Sequence, residues 1–109
     1  MIGDVVGRVG RNALRSSLSE IKKKFEIDFT IINAENSAAG FGLTPKIYEE
    51  LIGMGANAIT LGNHAWDKIE IIDYMKNNPN HSIIRPLNFV NDSPGKGYKI
   101  FDHANGKKY

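Results

Sequence analysis

Short runs of β-branched and apolar residues alternate along this chain with segments of helical periodicity, and this alternation restricts the fold more than any other feature. Strands are predicted wherever such a run occurs, at Met1–Ile2, Phe29–Ile32, Ala58–Leu61, Ser82–Arg85 and Tyr98–Phe101. A helix between two strands lets them pair in parallel, because the crossover returns the chain to the same end of the sheet. We therefore expect an α/β fold, a layered β-α-β-α arrangement with a mostly parallel sheet.

Three helices are predicted between these strands. The first follows a glycine-rich turn at Gly7–Gly10 and has an inward-facing apolar stripe at spacings of four, three and four, formed by Leu14, Leu18, Ile21 and Phe25. The second begins at Thr44, whose hydroxyl can cap a helix that has proline at its first position, and ends near Gly55. The third spans Asp67–Met75. Beyond the last strand, Asn105-Gly106 predicts a hairpin turn.

The composition is that of an ordinary globular protein, with 41% apolar and 24% charged residues among 109. We expect a single domain over residues 1–109. Seven basic residues accompany seven acidic ones before Gly55, and seven accompany five after it, so no nucleic-acid surface is indicated. The absence of cysteine excludes disulfides and zinc–thiolate sites. With no apolar run of bilayer length and no signal peptide, we expect no membrane contact and a cytoplasmic location.

Polar residues come directly after three of the predicted strands, namely Asp4 after the first, Glu35 and Asn36 after the second, and Asn63 and His64 after the third. The carboxyl ends of parallel strands open on one edge of the sheet, where α/β proteins bind ligands. Each of these residues alone is also an ordinary turn, cap or surface residue, but their convergence favours a shared functional site. Carboxylate and amide oxygens suit hard divalent cations such as Mg²⁺ or Mn²⁺ better than Zn²⁺.

Five segments occur in the order found in one known group of enzymes: Ile2–Gly7 (IGDVVG), Asn33–Ala38 (NAENSA), Gly62–Asp67 (GNHAWD), Arg85–Phe89 (RPLNF) and Pro94–Gly97 (PGKG). Over essentially its whole length, the chain closely resembles the YmdB-like branch of the calcineurin-like metallophosphoesterases. The resemblance implies the N-terminal half of a metallophosphoesterase sandwich fold.

The same resemblance implies a binuclear centre of two divalent metal ions, iron or manganese, with magnesium compatible with the oxygen ligands. Asp4 matches the first metal ligand, and Glu35 matches the carboxylate that bridges both ions. The amide ligands match Asn36 and Asn63. His64 matches a catalytic histidine that lies beside the metals without binding them. The implied activity is phosphodiester hydrolysis, with 2′,3′-cyclic nucleotides or similar small diesters as substrates.

The chain departs from the family pattern in two ways. Val6 stands where the wider superfamily has a histidine, a difference that this branch shares. Family members are also much longer, and the histidine ligands of their later segments have no counterpart here, since His81 and His103 are interpreted as surface residues. We therefore expect the N-terminal portion of an enzyme, whose partner is a complementary C-terminal segment or a second copy. By itself it should bind metal weakly and show little or no turnover. An inactive remnant and a non-enzymatic α/β binding module stay open as alternatives.

Overall fold

A computed structural model describes residues 1–109 and shows a three-stranded parallel sheet with helices between its strands. The elements in chain order are α1 (Gly7–Lys24), β1 (Ile31–Asn33), α2 (Pro45–Gly53), β2 (Ala58–Thr60), α3 (Glu70–Asn77) and β3 (Ile83–Ile84). The strands lie in the order β1-β2-β3, and both pairs are parallel. None of the helices has the length and apolar character needed to cross a membrane. The predicted α/β class with a parallel sheet is confirmed.

A row of isoleucines across the sheet forms the centre of the core. Ile32 pairs with Ile59, and Ile59 pairs with Ile83. All three side chains are 2% exposed or less. Leu51 from α2 and Ile71 from α3 are fully buried in the same cluster. Because burial of such side chains is the main favourable contribution to folding, this row stabilises the register of very short strands.

The start of α2 is as predicted. Oγ1 of Thr44 accepts a hydrogen bond from the backbone N–H of Ile47 at 3.2 Å, and Pro45 lies in the first turn. The last helical residue is Gly53 and the C-cap is Met54, so Gly55 stands directly after the cap, in the C′ position predicted for it. Gly55 has φ +101° in the loop that leads to β2. Glycine allows this conformation without steric cost, so the chain can leave the helix there.

The first helix differs from its prediction at both ends. It begins at Gly7, so the expected turn at Gly7–Gly10 is wrong. Gly10 lies where α1 packs closely on the preceding loop, since a Cβ atom there would be 3.2 Å from a buried valine side chain. Ile21 and Phe25, expected inside, are 42% and 64% exposed. An 18-residue helix is about 27 Å long and a three-residue strand about 10 Å, so the last turns of α1 extend beyond the sheet.

The first two predicted strands are displaced. Of Met1–Ile2, only Ile2 pairs with the sheet, through one parallel bridge to Ile32. β1 begins two residues later than the predicted Phe29 and ends at Asn33. The ring of Phe29 instead stacks on that of Tyr109, with centroids 4.4 Å apart. Phe29 therefore belongs to an aromatic cluster outside the strand ladder.

The fifth predicted strand, Tyr98–Phe101, is absent. The hairpin predicted at Asn105-Gly106 forms, and its register pairs Phe101 with Tyr109 through backbone hydrogen bonds of 2.8 and 3.0 Å. The two bridges nearest to the predicted strand lie on either side of it, a parallel one between Ile84 and Lys96 and an antiparallel one between Asp102 and Lys108. His103 packs edge-on against the Tyr109 ring at a centroid distance of 5.7 Å and stays partly exposed.

Replacing Ile59 by alanine should lower the free energy of unfolding by about 2–5 kcal/mol, because this side chain is fully buried in the central strand. Urea denaturation followed by circular dichroism measures the change. The same substitution at Ile21, which is 42% exposed, should cost less than about 1 kcal/mol. Equal losses at the two positions would contradict the location of the core.

Candidate metal centre

Backbone hydrogen bonds join three loops at the carboxyl edge of the sheet. The N–H of Gly7 donates to the carbonyl of Asn36 at 3.0 Å, which links the first loop to the second. The N–H of Ala34 donates to the carbonyl of Thr60 at 3.0 Å, which links the second loop to the end of β2. The loops that contain the predicted site residues therefore lie side by side, as expected for parallel strands.

Asp4 and Asn36 are in direct contact. Nδ2 of Asn36 donates to Oδ1 of Asp4 at 2.7 Å, although the two residues are 32 positions apart in the chain. Asp4 has φ +46°, a left-handed conformation that few non-glycine residues adopt. Because Asp4 is exposed, its second carboxylate oxygen remains accessible to a cation. The contact brings together two of the four predicted metal ligands.

Glu35 lies between the ends of β1 and β2. Its two oxygens are each 3.4 Å from a nitrogen, one from Nδ2 of Asn33 and the other from the backbone N–H of His64. Both distances are long for hydrogen bonds, so the carboxylate keeps most of its capacity to accept a cation. A Cβ atom on Gly62 would overlap both oxygens. Glycine at position 62 therefore makes room for the Glu35 carboxylate.

The ring of His64 is held from two sides. Nδ1 lies 2.6 Å from Oδ2 of Asp67, and the ring of Phe41 meets it edge-on at a centroid distance of 5.3 Å. Since an ionised carboxylate only accepts hydrogen bonds, we assign the Nδ1 proton to this contact. Nε2 is then the ring nitrogen available to a substrate.

Asp67 is absent from the predicted site and stands at the start of the predicted third helix. That helix boundary is wrong, because α3 begins only at Glu70. Asp67 belongs to the turn after His64, where its backbone N–H donates to the His64 carbonyl at 3.3 Å. The signal available in the sequence was an acidic residue three positions after the histidine. Phe41 had no such signal, since it is far from His64 in the chain.

Asn63 stands between Gly62 and His64, but its exposed side chain takes no part in the contacts described above. The structure contains no group of three or more His, Cys, Asp or Glu side chains that could hold a metal ion. The donors brought to this edge are two carboxylates and two amides, which are oxygen ligands for hard divalent cations. By their chemistry, and by the room that Gly62 leaves beside Glu35, these residues fit part of a metal centre.

Two solved structures have the same fold. A crystal structure of a hypothetical protein from Thermus thermophilus has a TM-score of 0.87 and 34% identity, covering 98% of this chain and 40% of that one. The crystal structure of a novel phosphatase from Mycoplasma pneumoniae has a TM-score of 0.83 and 37% identity, covering 95% and 38%. The class of fold is therefore that of the metallophosphoesterases.

The chain belongs to the YmdB-like protein family, which matches residues 1–109. It is 51% identical over 107 residues to a 2′,3′-cyclic-nucleotide 2′-phosphodiesterase of Bacillus subtilis (strain 168). The match covers 98% of this chain and 39% of that relative. The chain thus spans about two fifths of the length of this curated relative.

Replacing Gly62 by alanine should lower the free energy of unfolding only slightly, by up to about 1 kcal/mol, because the added methyl group overlaps the end of the flexible Glu35 side chain and displaces its carboxylate. Gly53→Ala is the matched control, since nothing lies within 4 Å of a Cβ atom at that position. It should be neutral or stabilising. Thermal and urea unfolding measure both effects. If the two variants behave alike, Glu35 is not held against Gly62.

Proposed function

We propose that this chain forms the N-terminal part of a single metallophosphoesterase domain that hydrolyses small phosphodiesters, with 2′,3′-cyclic nucleotides as the substrate class. The observation that supports this most directly is that Asp4 meets Asn36, and Glu35 meets the Gly62–His64 segment, at one edge of the sheet. The name of the Bacillus subtilis relative points to the same substrate class. Because the chain spans 39% of that relative, the rest of the active site would come from a complementary C-terminal segment.

Two divalent cations would be held at this edge, with manganese or iron as the first candidates and magnesium as a further one. Asp4 would supply a terminal carboxylate and Glu35 a bridging carboxylate. The amide oxygens would come from Asn36 and Asn63. When bound, such cations polarise phosphoryl oxygens as Lewis acids.

The contacts within the chain prepare these ligands for a cation. The Asn36 amide orients the Asp4 carboxylate, so less side-chain freedom is lost when a cation binds. Glu35 is confined between its two long nitrogen contacts and Gly62, yet neither contact is strong enough to compete with a cation. The edge therefore combines accessible oxygens with restricted side-chain positions.

His64 is the proposed proton donor. Asp67 holds Nδ1, so Nε2 is the nitrogen that would face a substrate. A protonated Nε2 would give its proton to the leaving ribose oxygen or donate a hydrogen bond to the charge that develops on the phosphoryl group. Asp67 acts as a positioning residue, and Phe41 limits rotation of the ring from the other side.

A cation-binding module without turnover is the second candidate. Its lack of turnover would follow from the incomplete ligand set, since no three His, Cys, Asp or Glu side chains come together to hold a metal ion. Two carboxylates and two amides form a weak ligand set for two cations. By itself the 109-residue chain is therefore proposed to bind Mn²⁺ weakly and to hydrolyse little or no phosphodiester.

Titration of the 109-residue chain with Mn²⁺, followed by electron paramagnetic resonance of the free ion, should show weak binding. Asp4→Asn and Glu35→Gln should each reduce it further, because each removes a charged ligand. Glu20→Gln changes an exposed acid on α1 and should leave binding unchanged. Two tightly bound ions per chain would contradict the incomplete site, and equal binding by all three variants would contradict the ligand assignment.

Catalysis is tested in a chimera in which residues 1–109 replace the matching part of the Bacillus subtilis relative. With Mn²⁺, the chimera should hydrolyse 2′,3′-cyclic AMP. His64→Ala should lower kcat by about 10²–10⁴-fold with unchanged metal content, because it removes a proton donor and no metal ligand. Asp67→Asn should lower kcat less, since it disturbs only the orientation of the ring.

His103→Ala is the control for this experiment, because His103 packs in the hairpin and should leave kcat unchanged. A parallel loss of metal and activity in His64→Ala would make His64 a metal ligand and contradict its assigned role. A chimera that binds two metal ions but hydrolyses no cyclic nucleotide would contradict the proposed substrate class.

A further inference from the structure

A cavity of about 660 Å³ lies at the outer edge of the sheet, between β3 and the segment that follows it. His81 and Ile83 line one side, and Lys96, Tyr98 and Lys99 line the other. None of the proposed metal ligands lines this cavity. His81 precedes β3, whereas those ligands follow their strands, so the cavity is a separate place in the fold.

The cavity carries positive charge without a counter-ion. Lys96 and Lys99 line it, no Asp or Glu does, and neither ammonium lies within 4.0 Å of a carboxylate. Nζ of Lys99 donates to the backbone carbonyls of Asn80 at 3.2 Å and of His81, and it lies 5.4 Å from the centre of the Phe101 ring. Burial and the neighbouring Lys96 lower the pKa of Lys99. An anion between the two ammonium groups would remove this repulsion.

His81 offers a neutral donor to the same cavity. It is partly exposed, and its Nδ1 accepts a hydrogen bond from the backbone N–H of Ile83 at 3.1 Å. Burial, followed by the charges of Lys99 and Lys96, lowers the pKa of His81 from its ordinary value of 6.5. The ring is therefore neutral at pH 7, and since Nδ1 accepts, Nε2 carries the proton.

Two acidic residues line other hollows that also include His81. Glu49 lines the hollow on the side of α2, where it accepts a hydrogen bond from the hydroxyl of Tyr74. Asp92 lines a third hollow together with Lys76. Neither acid lines the cavity with the lysine pair, so the pair is left for an external anion.

The rest of the cavity wall is apolar and open. Tyr98 is 71% exposed and Ile100 is 66% exposed, and both line the cavity. The ring of Tyr98 offers a face on which a flat group can stack. Two ammonium groups and one neutral N–H match a phosphate monoester, which carries close to two negative charges near neutral pH.

We infer that this cavity binds a phosphate monoester. The phosphoryl oxygens contact Lys96, Lys99 and Nε2 of His81. The organic part of the ligand covers the exposed faces of Tyr98 and Ile100. The site goes beyond the proposed function, since it uses none of the metal ligands and requires no metal ion.

The test is a titration of the 109-residue chain, in the presence of a chelator, with adenosine 3′-monophosphate, inorganic phosphate and adenosine. Isothermal calorimetry measures affinity, and proton NMR follows the His81 ring. The nucleotide should bind saturably and more tightly than inorganic phosphate, and adenosine should bind at least tenfold more weakly (about one charge-assisted contact). Binding should also raise the pKa of His81, because the anion offsets the charges of the two lysines.

Three double substitutions distinguish binding in this cavity from non-specific attraction to positive charge and from binding beside the proposed metal ligands. Lys96→Gln with Lys99→Gln should weaken nucleotide binding by about tenfold or more. Lys107→Gln with Lys108→Gln removes the same charge from the hairpin and should leave binding unchanged. Asp4→Asn with Glu35→Gln should also leave it unchanged, whether or not the proposed hydrolase function holds.

Several results would overturn the inference. No saturable binding would do so, and so would equal weakening by the two lysine pairs, which would indicate non-specific attraction. Tighter binding in the variant with Asp4 and Glu35 replaced would place the anion beside those two residues instead, because their carboxylates repel it in the absence of a metal ion. Equal affinity for inorganic phosphate and the nucleotide would remove the role of Tyr98 and Ile100 and contradict the monoester assignment.

Discussion

Parallel pairing around Ile32 is the constraint on which the rest of the structure depends. Ile32 pairs with Ile2 on one side and with Ile59 on the other, and its side chain is fully buried. Since parallel strands end at the same edge of a sheet, this pairing brings the loops that follow them to one place. Asp4 and Glu35 are positioned by this apolar row, although neither contributes to the core.

The edge with the proposed metal ligands combines exposed oxygen atoms with neighbours that restrict their positions. Asp4 is exposed to solvent, so its carboxylate does not need the paired charge that a buried carboxylate would require. One hydrogen bond, from the side-chain amide of Asn36, orients it. The Glu35 carboxylate lies so close to Gly62 that a Cβ atom at position 62 would overlap both of its oxygens. Only glycine, which has no Cβ atom, leaves room for it there. His64 is held by an acidic partner three residues away. Charge, space and orientation are thus controlled by different neighbours.

The sequence predicted correctly those structural features that depend only on residues close together in the chain. The Thr44 cap formed as predicted, because it requires contacts within a single helical turn. Ile21 and Phe25 have the predicted helical spacing but are exposed, since their burial depends on how far the sheet extends beneath α1. Tyr98–Phe101 has strand-like composition, yet a strand also needs a partner, which composition does not reveal.

The sequence by itself determined the class of fold and predicted that the candidate residues share one edge of the sheet, because alternating strands and helices suffice to align the ends of parallel strands. Only the tertiary structure decided which of those residues touch, namely Asp4 with Asn36, and Glu35 with the backbone N–H of His64. It also added Asp67 to the site and gathered His81 with two lysines elsewhere. Contacts near 3 Å depend on how segments distant in the chain pack together, and no local periodicity contains that information.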